Sequence, residues 1–394
     1  MHSIEEIRLN ILSKSQLNHL LKSKRGIILN GRKQDVYIGH NSLIKVGTQI
    51  GLNESVNYQG ELDKVRALVK LKTRPDVIYD LSTVQLANPL YKGIIKIFDG
   101  PVATVPVYSC FDDKKGISPE NFLKEIENQA KARVSLMVLH PTATKKLYEK
   151  AKRKRLVPVT SRGGACVIKD MYINNRDTSV PSIYFDRIIS VLKRYDVAVS
   201  LALTFRGATA SECLDEIALE EFKLQEKYIK AANKKGLKVV REGVSHASLD
   251  KIDGFCKLFF KQQTPIIPLG PVTTDAASGE DHIASAIGSA YMAYRGYAHM
   301  IVSVTRSEHT GGVPSLDNVV EGYKAARIAA HSVNIAKFSH KLPLEEEVNH
   351  LRGKYSTCIV SQGLFSDVKK ISADECGRCK SLCPYILLKD KYQN

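Results

Sequence analysis

Three cysteines near the end of the chain have the spacing that most directly indicates chemistry. Cys376, Cys379 and Cys383 lie in DECGRCKSLCPY at 374–385, and C-x2-C-x3-C followed by proline is typical of segments that hold iron–sulfur clusters. Three thiolates leave one iron of a four-iron cluster open, and S-adenosylmethionine bound there can be cleaved reductively to a radical. The alternative is a structural zinc site with His350 as the fourth ligand.

A second candidate site is the segment Ser161-Arg162-Gly163-Gly164. Glycines let backbone N–H groups approach an anion, the serine adds a hydroxyl, and the arginine adds a bidentate positive charge. This combination predicts a phosphate-binding turn. The alternative is a tight turn that needs glycine only because its φ angle is positive.

Two histidines, His246 and His309, form a candidate metal site, although the chain holds eleven histidines and offers many pairs. Imidazole is the commonest zinc ligand, and two protein ligands together with water and substrate make an open coordination site. The two residues follow the sixth and the eighth of the strands predicted below. One site could therefore hold both side chains.

The elements that must position these residues are eight short apolar segments separated by amphipathic helical patterns. The segments are 77–81, 103–109, 135–141, 157–161, 198–204, 238–243, 266–271 and 299–305. Alternation of strands and helices predicts parallel strands with right-handed crossovers, and eight units predict an α/β fold of the (β/α)8 TIM-barrel type. A doubly wound sheet is the alternative, but no G-x-G-x-x-G follows any strand.

Reactive side chains follow all eight predicted strands. They include Asp80, Tyr108, His140, Ser161, Arg162, Arg206, Glu242, His246, Asp275 and His309. Active sites of (β/α)8 barrels lie at the C-terminal ends of the strands. The pattern therefore indicates an enzyme. We divide the chain into an N-terminal domain (1–75), a barrel (76–338) and a C-terminal tail (339–394) that carries the cysteines.

Composition narrows the class of protein. The 394 residues are 43% hydrophobic and 25% charged, which is typical of a soluble globular protein. No stretch of eighteen apolar residues and no apolar signal core are present, so we expect no membrane association and a cytoplasmic location. The net charge of +17 suits phosphorylated substrates or nucleic acid, but no zinc-finger, RNP or KH pattern supports nucleic acid.

The order of these motifs resembles the phosphomethylpyrimidine synthase family, radical S-adenosylmethionine enzymes of thiamine biosynthesis. The matching motifs are DLST (80–83), TVPVY (104–108), SRGG (161–164), LGPVTTDAASGEDHIASAIGSA (269–290), EH…G…P (308–314) and YKAARIAAHSVNIAK (323–337). The resemblance implies a lyase that rearranges 5-aminoimidazole ribotide to hydroxymethylpyrimidine phosphate. It also implies a homodimer in which the tail of one subunit reaches the barrel of the other, and an external electron donor such as flavodoxin or ferredoxin.

The resemblance also implies roles for individual residues. Substrate contacts fall on Tyr79, Tyr108, His140, Ser161, Arg162, Gly163, Arg206 and Glu242, of which Glu242 and His140 are the candidate catalytic residues. A zinc ion is implied at His246 and His309, and a 4Fe-4S cluster at Cys376, Cys379 and Cys383.

The sequence also departs from the family pattern. The second gap between the tail cysteines is one residue shorter than in the family. Five positions expected near substrate carry other residues than the family does, namely Gly47, Gln49, Tyr79, Leu203 and Ile267. These changes keep open a paralogue with another product, such as 5-hydroxybenzimidazole for cobamide assembly. They also keep open a non-catalytic binding protein on a decayed barrel.

Overall fold

The barrel consists of eight strands, all parallel to their neighbours, which confirms the predicted fold class. The computed structural model describes residues 12–84, 86–338, 342–355, 357–358, 363–365 and 376–387. The strands are β1 (Lys45–Ile50), β2 (Val77–Asp80), β3 (Val102–Thr104), β4 (Leu136–Leu139), β5 (Ala198–Leu201), β6 (Val239–Glu242), β7 (Ile266–Ile267) and β8 (Met300–Val302). Their order in the sheet is β7-β6-β5-β4-β3-β2-β1-β8.

A histidine completes the ring between the two ends of this sheet. The backbone N–H of His299, just before β8, donates to the carbonyl of Ile266 at 2.9 Å. The Nδ1 atom of the same histidine accepts the backbone N–H of Ile266 at 3.0 Å. Strands β7 and β8 are therefore joined, and the sheet is a closed barrel with no open edge at this seam.

Helices surround the barrel, and most begin at a side chain that accepts a backbone N–H, as N-cap residues do. The described helices are Lys14–Lys22, Tyr58–Lys70, Leu90–Ile97, Pro106–Cys110, Pro119–Lys131, Lys145–Lys154, Arg162–Ile173, Val180–Ile183, Phe185–Arg194, Glu216–Lys234, Leu249–Leu258, Asp281–Tyr294, Leu316–Phe338, Pro343–Lys354 and Pro384–Leu387. The apolar residues of the strands and of the inner helix faces form one continuous core.

The first barrel strand begins before residue 76, where the sequence analysis places the start of the barrel. Strand β1 lies inside the range 1–75, yet it pairs with β2 on one side and β8 on the other. Only the antiparallel hairpin Gly26–Leu29/Val36–Gly39 precedes it among the described strands. Backbone N–H groups of the hairpin loop donate to the carbonyl of Asp99, just before β3. The hairpin therefore covers the N-terminal end of the barrel.

The predicted strand at 157–161 is wrong. These residues form a loop between the helices Lys145–Lys154 and Arg162–Ile173, and Leu156 beside them is 86% exposed. A run of apolar residues becomes a barrel strand only where it pairs on both sides, and β4 already pairs with β5 here. The connection between β4 and β5 thus carries the whole segment 140–197.

The C-terminal tail is described only in part. Residues 339–341, 356, 359–362, 366–375 and 388–394 of the predicted tail domain lie outside the described residues, as do residues 1–11. The cysteine motif is described and forms a compact turn, in which the N–H of Leu382 donates to the carbonyl of Cys379 at 3.0 Å. No helix in the described parts of the chain is long and apolar enough to cross a membrane.

Candidate active site

A cavity of about 220 Å³ lies at the C-terminal ends of the barrel strands. It brings together eight of the side chains that the sequence predicted for the site: Tyr79, Tyr108, His140, Arg162, Arg206, Glu242, His246 and His309. Gln49, one of the positions that depart from the family, also lines it. Ser161 and Gly163 do not line the cavity, but both lie against the His140 ring, which does. The predicted residues therefore form one site even though they come from seven different parts of the chain.

Ser161 is the N-cap of the helix Arg162–Ile173, and Arg162, the first residue of this helix, lines the cavity. The Ser161 hydroxyl accepts the backbone N–H of Gly164 at 3.1 Å, and Nε2 of His140 lies 3.1 Å from the same oxygen. Free N–H groups and the helix dipole make such a start favourable for a phosphate. The Arg162 guanidinium adds a full positive charge, lying 5.6 Å from the centre of the Tyr108 ring.

The two glycines after Arg162 serve close packing. Neither has a positive φ, so the alternative of a turn with positive φ does not apply. A Cβ atom at Gly163 would lie 2.3 Å from Cε1 of His140, and one at Gly164 would lie 2.9 Å from Cγ2 of Thr204. Side chains at these positions would displace the His140 ring or the end of β5.

Glu242 and Arg206 form a buried ion pair beside this end of the cavity. An Nη1–H of Arg206 donates to Oε1 of Glu242 at 3.2 Å, and the backbone N–H of Leu203 donates to the same oxygen at 3.1 Å. Burial raises the pKa of Glu242, although the Arg206 charge opposes the shift. The Nε atom of Arg206 is buried and has no hydrogen-bond partner among the described residues. That N–H is available to an anionic ligand.

His140 is neutral at the bottom of the site. Burial, together with the Arg206 charge, lowers the pKa of His140 to about 3. Its Nδ1 atom is buried without a partner in the described part of the chain. A buried ring nitrogen without a partner is costly, and a ligand that hydrogen-bonds it would recover that free energy.

Tyr79 occupies the floor of the cavity at a position where the sequence departs from the family. It is 5% exposed, and burial raises the pKa of its hydroxyl, helped by the Glu242 charge. On the neighbouring strand, a Cβ atom at Gly47 would lie 3.0 Å from Cε2 of Tyr79. The ring thus takes space that a side chain at position 47 would need.

His246 and His309 lie against each other, with ring centres 4.9 Å apart. Nδ1 of His246 is 2.8 Å from Oδ1 of Asp275, and Nδ1 of His309 is 2.7 Å from Oδ1 of Asp281. Burial lowers the pKa of His246, which keeps the ring neutral as a metal ligand must be. A carboxylate on Nδ1 leaves Nε2 as the ligand atom, as is usual for zinc-bound histidines. The pair therefore fits a metal with two open coordination positions.

The tail cysteines offer three reduced thiols on one turn. Cys376 is partly exposed, Cys379 is exposed and Cys383 is buried, and none forms a disulfide. Among the described residues, no three Cys, His, Asp or Glu side chains are gathered closely enough to hold a metal. Three thiolates are the usual donor set of a cluster with one open iron, but in the described part of the chain they are not gathered into a site.

Sequence reasoning missed three residues that support the site. Asp281 was noticed only as part of a motif, although it holds His309. Glu221 and Gln225 belong to the helix Glu216–Lys234 and are fully buried there. The sequence does contain a signal for Glu221 and Gln225. They are polar residues four positions apart on the inner face of an amphipathic helix, and buried polar groups need hydrogen-bond partners.

Comparison with known proteins places the chain in a family. The sequence matches the radical SAM ThiC family over residues 8–389. It is 32% identical to the phosphomethylpyrimidine synthase of Ignicoccus hospitalis over 92% of this chain and 86% of that protein. It is 34% identical to the 5-hydroxybenzimidazole synthase BzaA of Eubacterium limosum over 79% of this chain and 75% of that protein.

Among solved structures, a dihydropteroate synthase from Coxiella burnetii aligns with a TM-score of 0.47 and 10% identity, covering 78% of this chain and 99% of that chain. This likeness is too distant to bear on function. The match over nearly the whole chain shows that the protein belongs to the radical SAM ThiC family. It is therefore an enzyme of the radical lyase type, and membership implies S-adenosylmethionine and an iron–sulfur cluster.

Proposed function

We propose that this enzyme rearranges 5-aminoimidazole ribotide, or a closely related ribotide, to hydroxymethylpyrimidine phosphate for thiamine biosynthesis. The observation that carries the proposal is the meeting in one cavity of a phosphate-binding helix start, a buried glutamate and a carboxylate-supported histidine pair. Phosphomethylpyrimidine synthases are prominent among its relatives.

The substrate phosphate binds at the start of the helix Arg162–Ile173. The backbone N–H groups there, the Ser161 hydroxyl and the Arg162 guanidinium are its ligands, and the free Nε–H of Arg206 completes them. Gly163 keeps this end narrow by letting His140 pack against the helix. The arrangement favours a phosphate monoester because its charge meets two arginines.

Glu242 is the group that moves protons at the ring or sugar. Its raised pKa lies nearer to working pH than that of an exposed glutamate, which suits a residue that must both take and return a proton. His140, with a pKa of about 3, acts as a neutral hydrogen-bond partner through Nδ1. Tyr79 and Tyr108 contact the aminoimidazole and ribose from the floor and side of the cavity.

Two inorganic groups complete the site. Cys376, Cys379 and Cys383 hold a 4Fe-4S cluster, which supplies the electron for reductive cleavage of S-adenosylmethionine. His246 and His309 hold a zinc ion, which orients substrate or S-adenosylmethionine. Asp275 and Asp281 fix the two imidazole rings for this role.

The proposal includes partners. The tail of one subunit serves the barrel of another in a homodimer, and an external flavodoxin or ferredoxin reduces the cluster. We expect the enzyme in the cytoplasm. The +17 charge serves to attract phosphorylated substrate, and we expect no nucleic-acid partner.

A second candidate is synthesis of a different product, such as 5-hydroxybenzimidazole. The observation that favours it is the changed lining of the cavity, where Tyr79 and Gln49 stand at positions that depart from the family and the Tyr79 ring lies close to Gly47. The similarity to a 5-hydroxybenzimidazole synthase is as high as that to the synthases of thiamine precursors. Product analysis separates the two candidates.

The testing experiment is anaerobic reconstitution with iron and sulfide, followed by electron paramagnetic resonance of the reduced protein. We expect a cubane-type signal that changes when S-adenosylmethionine is added, and release of 5′-deoxyadenosine with 5-aminoimidazole ribotide. Cys379→Ser removes the signal, and Cys358→Ser, an exposed cysteine outside the motif, keeps it. A tail that binds zinc and assembles no cluster contradicts the proposal.

A further inference from the structure

One short part of the C-terminal tail is bound to the wall of its own barrel. The carbonyl of Leu364 accepts the hydroxyl of Thr73, just before β2, at 2.9 Å. The Phe365 ring meets the Tyr323 ring edge to face, with ring centres 6.4 Å apart. Nζ of Lys324 lies 5.8 Å from the centre of the Phe365 ring. The backbone and a side chain of this part of the tail are thus held by two different parts of the barrel.

The seat of this tail segment, formed by Thr73, Tyr323 and Lys324, is held in place by the barrel itself. Tyr323 is fully buried, and its hydroxyl donates to the carbonyl of Thr73. One turn further along the same helix, Nε of Arg327 donates to the Tyr323 hydroxyl at 3.0 Å. An Nη2–H of Arg327 donates to Oδ2 of Asp76 at 2.7 Å. These bonds lie within the barrel, so the seat does not depend on the tail for its shape.

The seat also lies close to the cysteine turn along the chain. Cys376 comes eleven residues after Phe365, and eleven residues span at most about 40 Å when fully extended. Among the described residues of the tail, the buried residue before the seat is Thr357, nineteen residues before Cys376. From Thr357 the same limit is about 70 Å. The contacts at the seat therefore shorten the distance over which the cysteines can move away from the barrel wall.

We propose that Phe365 is a positioning residue for the radical reaction, because its seat fixes the point from which the tail presents the iron–sulfur cluster. The inference rests on the proposed function, in which Cys376, Cys379 and Cys383 hold that cluster. The cluster has to meet S-adenosylmethionine at one place, and a shorter tether raises its effective concentration there. Phe365 thus acts through the position of the tail and is not itself catalytic.

The first test uses the full chain without its cluster. The sequence contains no tryptophan, so Phe365→Trp supplies a single fluorophore at the seat. The matched control is Tyr355→Trp, at a half-exposed position in the same tail. We expect the emission of Phe365→Trp to be blue-shifted relative to that of Tyr355→Trp, and its quenching by acrylamide to be several-fold weaker. Adding Thr73→Val, which removes the hydroxyl that binds Leu364, should increase the quenching of Phe365→Trp and leave that of Tyr355→Trp unchanged. Equal quenching of the two fluorophores overturns the inference.

The second test compares Phe365→Ala with the wild type after anaerobic reconstitution. We expect the electron paramagnetic resonance signal and its response to S-adenosylmethionine to be unchanged, because the three cysteines are intact. The rate of 5′-deoxyadenosine release at saturating 5-aminoimidazole ribotide should fall roughly threefold or more, while the KM of the ribotide stays the same. Phe365→Tyr keeps an aromatic ring at the seat and should restore the rate. Tyr355→Ala is the control that keeps it.

The outcomes separate this inference from the proposed function. A Phe365→Ala variant with the wild-type rate overturns the inference. A variant whose cluster signal falls in the same proportion as its rate also overturns it, because Phe365 would then only help the cluster to assemble. A wild type that makes another product refutes the proposed substrate, and it supports the positioning role if Phe365→Ala slows formation of that product.

Discussion

Glu242 combines three features that are rarely found in a surface carboxylate. It is 3% exposed, it pairs with a guanidinium that has a spare donor, and it accepts the N–H of Leu203. Desolvation disfavours its charged form while both contacts favour it, and burial is the larger influence. The side chain can therefore change protonation at a pH where ordinary glutamates stay charged.

We predict that Glu242→Gln lowers turnover roughly 10²- to 10⁴-fold, as loss of a general acid–base group does. In the wild type, we expect activity to fall as the pH is lowered. The midpoint of this fall should lie above the usual glutamate pKa of about 4.3, because the pKa of Glu242 is raised. The pH profile of product formation checks this. Glu125→Gln, outside the cavity, is the control, and a variant that retains full turnover contradicts the role.

At the scale of elements, one helix holds the ends of two strands. In the helix Glu216–Lys234, Glu221 accepts the N–H groups of Thr204 at 2.5 Å and Phe205 at 2.8 Å. One turn later, the Gln225 amide donates to the carbonyls of Leu201 at 2.6 Å and Glu242 at 3.1 Å. The helix thereby sets where Arg206 and Glu242 enter the cavity.

Glu221 also makes this support sensitive to pH. Burial raises its pKa to about 7, opposed by the hydrogen bonds from Thr142, Phe205 and Thr204 and by the Arg155 charge. The folded state therefore binds the Glu221 proton more tightly than the unfolded state does. The stability that Glu221 contributes is greatest below the pKa that this residue has in the unfolded chain. That contribution is lost as the pH rises through about 7, the pKa of Glu221 in the folded protein.

We predict opposite effects of pH on stability and on substrate binding. Going from pH 8 to pH 5.5 should stabilise the wild type relative to Glu221→Gln by on the order of 2 kcal/mol. Ribotide affinity should fall over the same range, because a protonated Glu221 accepts the N–H groups next to Arg206 less well. Denaturant unfolding and calorimetry at both pH values check this. Equal pH dependence in the wild type and the variant contradicts it.

The sequence predicted most elements of the barrel, and most residues that it predicted for the site line one cavity. Its errors have a physical cause. Strand β1 reads KVGTQI, in which polar residues interrupt the apolar run that marks the other strands. Lys45 is nevertheless buried there, and its amine donates to the Leu43 carbonyl. The polar residues are the reason that this strand was not counted among the eight. The apolar run at 157–161 has the composition of a strand, but it forms a loop. A local sequence pattern does not show whether a neighbouring strand is available for pairing. Pairing is decided across the whole barrel.

The residues that line the cavity were easier to predict than the residues that hold them in position. The candidate ligands His246 and Arg162 lie where a strand ends or a helix starts, and barrel geometry gathers such positions. Asp281 and Glu221 act through other residues at a separation of 28 and 17 positions, and no spacing rule connects them. Their roles depend on packing that only the three-dimensional structure reveals.

At the scale of the whole molecule, the +17 charge should act on substrate capture. A positive field raises the association rate of an anion and is screened by salt. We predict that raising NaCl from about 50 to about 300 mM weakens ribotide binding several-fold and leaves 5′-deoxyadenosine, which is uncharged, almost unaffected. Titration calorimetry at both salt concentrations checks this, and equal salt dependence of the two ligands contradicts it.

The contact between Gly47 and Tyr79 has a consequence for how the family diversifies. Because a Cβ atom at position 47 would lie 3.0 Å from the Tyr79 ring, a larger residue at 47 requires this ring to move or to be replaced. We therefore expect a large side chain at position 47 to occur in relatives that carry a smaller residue at position 79. Covariation of these two positions across the relatives would show that the floor of the cavity changes as a unit.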